Sequence, residues 1–202
     1  HAFISYKRED EKWAKWLQDR LRWYKLPSKL CRQITRLPKK VWPVFRDNTD
    51  LDSGRLEENI RHELERSHYL IVICSPEAAR SPWVGKEVKY FATLHGADKI
   101  IPFVVSGIPY SNDIETECIH EQIKAISQEE LLAINVREEG IGSFAMKKKR
   151  AFIRVVARLL DIKFNTLWQP YERILRIRKW STGIGVVFIL IRFIHLVGLL
   201  PD

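Results

Sequence analysis

Five short apolar runs constrain this chain most: "AFISY" (2–6), "VWPVF" (41–45), "YLIVIC" (69–74), "IIPFVV" (100–105) and "LLAINV" (131–136). Runs this short, with little internal alternation, predict strands buried on both faces. The stretches between them have helical spacing. Trp13, Leu17 and Leu21 mark one helix, Leu56, Ile60 and Leu64 a second, and Val84, Val88, Phe91 and Ala92 a third. Ala151, Phe152, Val155, Val156 and Leu159 mark a closing helix, and a short one is expected from Glu117 to Ile126. Strands that alternate with helices imply an α/β fold. The expected form is a flavodoxin-like five-stranded parallel sheet with helices on both faces, followed by a C-terminal hydrophobic helix. Sheets of this kind take ligands beyond the carboxyl ends of the strands, where strand one lies beside strand three. Tyr6, Lys7 and Arg8 follow strand one, so they are expected to border one cleft with the helix that follows strand three.

The formal charge of +9 is unevenly placed along the chain. Residues 1–145 hold 22 Lys and Arg against 22 Asp and Glu, so the excess lies in 146–202. That distribution argues against nucleic acid as the partner of the first domain. Near the end, "STGIGVVFILIRFIHLVGLL" (181–200) follows Arg173, Arg176, Arg178, Lys179 and Trp180. A basic flank before about 20 apolar residues predicts a membrane span with the flank on the cytoplasmic side. Arg192 and His195 oppose insertion, but thirteen Leu, Ile, Val and Phe residues outweigh them; an interfacial or partner-binding helix and a buried soluble helix are the alternatives. The expected organisation is a domain over 1–161, a basic linker over 162–180 and a transmembrane helix over 181–200. This makes a single-pass cell-membrane protein whose domain lies in the cytoplasm and whose partners include membrane lipid. Cys31, Cys74 and Cys118 lack metal or disulfide spacing, which fits a reducing compartment, and the six histidines read as surface or packing residues. No metal site is expected. A second basic stretch, "KLPSKLCRQITRLPKK" (25–40), reads as a solvated connection or as a contact for phosphates or lipid headgroups.

The stretch "SPWVGKE" (81–87) carries the chemistry. Ser81 can cap a helix and Pro82 suits its first position, so a helix starts here. Four residues apart, Trp83 and Glu87 share a stripe with Tyr90 and Leu94 beside the core-facing one. Glu87 is therefore expected at the border of the core. An ordinary helix glutamate, partly exposed and paired with Lys86 or Lys89, is the plain alternative.

Four segments together resemble the TIR (Toll/interleukin-1 receptor) domains. "FISYKRED" is similar to the family's first box, "VFRDNTDLDSG" to its second strand and BB loop, "LIVICSP" to its third strand and "SPWVGKE" to the start of its third helix. In the NAD-cleaving members the glutamate of a W-x-x-x-E pattern is catalytic, and Trp83 and Glu87 match that pattern. The resemblance implies an NAD+ glycohydrolase with NAD+ as substrate and no cofactor. Its substrate would be lined by Tyr6, Lys7, Arg8, Trp83, Asp47, Gly54 and Leu56. It also implies self-association through TIR domains, with the BB loop (Arg46 to Gly54) completing a neighbour's site, and a role as a defence or cell-death effector. Breaking the nicotinamide–ribose bond develops positive charge on the ribose, which one well-placed carboxylate can stabilise. No glycine-rich phosphate loop is present, which disfavours a hydride-transfer enzyme or a P-loop NTPase. Two other readings stand beside this one. One is a non-catalytic TIR scaffold, and the other is a phosphoacceptor domain with Asp47 as acceptor and Glu9 and Asp10 as its acid pair.

Overall fold

The computed structural model describes residues 2–34, 37, 41–46, 53–126, 133–137 and 143–169, with side chains for all of these except 29, 33 and 53–57. By compactness the chain divides into one unit over 1–162 and another over 163–202. In the second, the described residues include a helix over 164–169 in which the rings of Phe164 and Trp168 stack, centroids 5.6 Å apart. The transmembrane segment expected over 181–200 lies outside the described residues. None of the described helices is long and apolar enough to cross a membrane.

The first unit contains a sheet of five parallel strands in the order β2-β1-β3-β4-β5. These are β1 (Ala2–Ser5), β2 (Val44–Arg46), β3 (Tyr69–Cys74), β4 (Ile100–Val104) and β5 (Ile134–Asn135). The helices are α1 (Glu11–Arg22), α2 (Ser28–Gln33), α3 (Ser53–Arg66), α4 (Pro76–Ala79), α5 (Pro82–His95), α6 (Glu121–Ile126) and α7 (Phe144–Leu159). The period-two alternation of strands assigns the two faces of the sheet. Leu70, Val72 and Cys74 of β3 join Phe3, Ile100 and Val104 in a cluster closed by Leu64 of α3 and by Val84, Val88 and Phe91 of α5. The other face carries Phe103, against which Trp16 of α1 stacks at 6.5 Å. Trp16 in turn meets Phe152 of α7 edge-on at 6.2 Å. Helices thus cover both faces, as the apolar runs require.

Several boundaries differ from the sequence reading. β2 begins at Val44 rather than 41, because Pro43 has no N–H for the ladder and instead accepts the Ala2 N–H at 3.3 Å. β5 is short, and residues 131–132 lie outside the described set. The helix expected from Glu117 starts at Glu121, because the Glu117 carboxylate accepts the N–H groups of Tyr110 (3.2 Å) and Ile119 (2.7 Å) and holds 117–120 in a loop. The basic stretch is not simply a solvated connection. It contains α2, and Leu26 and Leu30 are buried there.

Phe91 is fully buried on the core stripe of α5, and Leu94 on the adjoining stripe is exposed. Phe91→Ala is expected to cost about 3–5 kcal/mol of unfolding free energy. Leu94→Ala should stay within about 0.5 kcal/mol. Denaturant titration of both variants checks the assignment of the two stripes.

Candidate functional site

The α5 helix forms where its start signals place it. The Ser81 hydroxyl accepts the Val84 N–H at 3.5 Å, Pro82 occupies the first turn, and Gly96 ends the helix with φ of 87°. One turn apart, Trp83 and Glu87 line a cavity of about 390 Å³ between α5 and α3, with Ile60, Leu64 and Tyr90 around them. Glu87 is only 6% exposed, deeper than a border position implies, while Trp83 is 51% exposed at the rim. The Lys86 ammonium sits 4.6 Å above the Trp83 ring. Across the cavity the Tyr90 hydroxyl donates to Glu65 Oε1 at 2.6 Å, and the Arg61 guanidinium lies 5.8 Å from the Tyr90 ring centroid. The result is a buried carboxylate in a recess with aromatic walls and cations at its edge. A pocket of this kind is suited to a flat ring attached to a group that gains positive charge.

A second polar cluster occupies the carboxyl ends of β1 and β3. Asp10 stands where it could cap α1 but makes no side-chain cap there. Its Oδ2 instead accepts a hydrogen bond from the Ser75 hydroxyl, which itself accepts the Ala78 N–H at 3.0 Å. Burial is the leading cause that raises the Asp10 pKa, against the lowering effect of the Ser75 bond. The Ser5 hydroxyl, at the end of β1, is buried without a hydrogen-bond partner among the described residues. At the neighbouring strand end, Arg46 Nη1 donates to the Tyr6 hydroxyl (3.1 Å) and to Glu11 Oε1 (3.0 Å), and its Nε donates to Gln18 Oε1 (3.1 Å).

The structure therefore brings Trp83 and Glu87 into one recess and Tyr6 into contact with Arg46. The described lining of the Glu87 cavity includes none of Tyr6, Lys7 and Arg8. Lys7 precedes, and Arg8 begins, a short 3-10 turn over Arg8–Asp10. Asp47 lies outside the described residues, as does the rest of 47–52. Gly54 and Leu56 fall within α3. Gly54, placed at the end of the BB loop by the family resemblance, instead stands in the first turn of a helix, where Pro is also tolerated. Burial raises the thiol pKa of Cys118 to about 12 and holds that of Cys74 well above its ordinary value, so neither is a ready nucleophile.

Sequence reasoning gave His120 only a packing role. Its Nδ1 accepts the Gln122 N–H at 3.0 Å, so the proton sits on Nε2, which donates to the Ser81 carbonyl at 3.1 Å. The ring thereby clamps the first turn of α5. A Cβ added to Gly85 would lie 2.5 Å from His120 Cε1. No spacing signal could have revealed this contact, because Ser81 and His120 are 39 residues apart. A larger cavity of about 670 Å³ opens beside this clamp, between α5 and α6, but Glu87 does not line it. Its size alone therefore does not make it the site.

Residues 2–139 match a family model described as TIR domain. Over 65 residues the chain is 42% identical to the NAD(+) hydrolase ApTIR of Actinoplanes sp., a match that covers 32% of this chain and 9% of that protein. Among solved structures it is similar to the TIR domains of the activated Roq1 resistosome directly recognizing the pathogen effector XopQ. That match has a TM-score of 0.49 and 14% identity, and covers 76% of this chain and 98% of the other.

The clamp has two measurable consequences. Burial lowers the His120 pKa from its ordinary 6.5, outweighing the raising effect of the Ser81 carbonyl. The unfolded chain therefore takes up this proton more readily than the folded one. Stability from this group is present above about 6.5 and is lost as pH falls through the lower folded value. Thermal melts from pH 8 to 5 should show a fall that flattens in His120→Ala. Gly85→Ala should destabilise the parent chain although Ala is the better helix former, and should cost far less in the His120→Ala background. Equal effects in both backgrounds would show that the ring does not press on Gly85.

Proposed function

The chain belongs to the TIR domain family, and on that premise we propose that it hydrolyses NAD+ at the bond between nicotinamide and ribose. One observation carries the reading: a buried Glu87 shares a recess with Trp83 one helical turn away. The likeness of part of the chain to an NAD(+) hydrolase supports it. In the proposed reaction the bonding pair leaves with nicotinamide, whose ring nitrogen loses its positive charge, so the leaving group needs no proton. Positive charge moves to the ribose, water adds at C1′ and releases a proton, and ADP-ribose results. Glu87 opposes that charge where little water screens it, which strengthens the effect in the transition state. The exposed Trp83 indole offers a flat surface to a ring. Arg8, with a fork that fits phosphate oxygens, would take the diphosphate, and Tyr6 and Lys7 would flank it. Asp47, Gly54 and Leu56 would be presented by the BB-loop region of a neighbouring copy, which makes the active form an assembly. We place the domain on the cytoplasmic face of a membrane, held by the apolar segment over 181–200, as a defence or cell-death effector. Confining copies to two dimensions raises their effective concentration without any new contact.

Two measurements test this reading. With purified chain and NAD+, chromatography should show nicotinamide release that falls by about 100-fold or more in Glu87→Gln. Glu87→Gln keeps shape and loses charge, so it is a cleaner probe than Glu87→Ala, which also leaves a void at a buried position. Turnover by a folded Glu87→Gln variant at the parent rate removes the assignment. Separately, activity per molecule should rise steeply as copies are crowded on liposomes. A flat response across roughly a hundredfold range of density would refute activation by assembly while leaving Glu87 in place.

A further inference from the structure

The neutral total of residues 1–145 conceals a strong local segregation of charge. Between Asp19 and Asp47 there is no acidic residue, while Arg20, Arg22, Lys25, Lys29, Arg32, Arg36, Lys39, Lys40 and Arg46 are all basic. Arg46 is neutralised by Glu11. Lys25 and Arg32 are exposed and make no ion pair among the described residues. The same stretch of chain carries two exposed indoles. Trp23, at the C-terminal end of α1, is 77% exposed, and Trp42 is 36% exposed. They belong to one patch, because the guanidinium of Arg22, next to Trp23 in the chain, lies 4.9 Å from the centroid of the Trp42 ring. The patch is held in shape from below: Leu26 and Leu30 are buried around α2, and Leu21 anchors the end of α1.

We propose that this patch is a second membrane contact, separate from the C-terminal segment, that docks the domain flat on an anionic lipid surface. Exposed tryptophans cost the chain solvation of apolar area in water, and they settle at the level of lipid headgroups, where the ring is buried and the N–H stays wet. Arg22 at the Trp42 ring, and the exposed Lys25 and Arg32 of the same stretch, are attracted by the negative surface potential of anionic lipid. Nucleic acid also attracts basic and aromatic residues, but single strands are tracked by grooves in which bases stack. Neither cavity described above reaches Trp23 or Trp42. A cation–tryptophan patch that lines neither of these cavities fits a plane better than a strand.

The test uses the full chain and vesicles made of phosphatidylcholine alone or with phosphatidylglycerol added, each containing brominated lipid that quenches nearby indoles. The signal is the quenching of the parent chain minus that of a Trp23→Phe/Trp42→Phe variant, which isolates the patch from the other five tryptophans. It should be strong on anionic vesicles, weak on neutral ones, and reduced at high salt. Each basic residue near an anionic surface contributes roughly fivefold in affinity, so Lys25→Gln/Arg32→Gln should reduce the signal at limiting anionic lipid at least fivefold. Equal difference signals on neutral and anionic vesicles would overturn the proposal. A chain that sediments with vesicles without any difference signal would also overturn it, while leaving attachment through the C-terminal segment standing. Retention on a single-stranded oligonucleotide at salt concentrations that release the chain from anionic vesicles would assign the patch to nucleic acid instead.

Discussion

The architecture depends on the burial of β3 from both sides. From Leu70 to Cys74 every residue of this central strand is buried, alternate side chains pointing to opposite faces. A strand with no solvent face fits parallel neighbours and two covering layers of helices, because leaving one face open would expose Leu70, Val72 and Cys74, and leaving the other open would expose Ile71 and Ile73. α3 and α5 close one face, and α1 and α7 close the other. The start of α5 then falls just beyond the carboxyl end of β3. Trp83 and Glu87 owe their place to that connection.

Much of this was legible before folding. The five runs located all five strands, and the start of α5 was read correctly from Ser81 and Pro82, since both signals act within one helical turn. Trp83 and Glu87 were placed on the stripe beside the core by the same local periodicity. The depth of Glu87 was not legible, because it depends on how closely α3 approaches α5. Nor was the engagement of Tyr6 by Arg46 of another strand, since the two are 40 residues apart. The start of α6 was missed because Glu117 satisfies backbone donors through its side chain, which helical periodicity does not register.

Charge shows the same division between sum and arrangement. A balanced count over 1–145 described the first domain as electrostatically bland. In the fold, Arg46 is turned inward to Tyr6, Glu11 and Gln18, while Arg22, Lys25 and Arg32 are exposed and Arg22 lies over the Trp42 ring. Screening limits such charges to a range of about 10 Å, so it is their local grouping, not the total, that a partner meets.

The sequence by itself determined the order of strands and helices along the chain, the apolar stripe of each helix, the cap at Ser81 and the pairing of Trp83 with Glu87 on one stripe. Each is set by residues within a turn or two of one another, where backbone sterics and short-range periodicity dominate. Only the tertiary structure decided the contacts between distant positions. Arg46 meets Tyr6 across 40 residues, Ser75 meets Asp10 across 65, and His120 meets the Ser81 carbonyl across 39. These pairs form because the order β2-β1-β3-β4-β5 brings separate strand ends together. That order is chosen by the simultaneous burial of every strand, which no local stretch encodes.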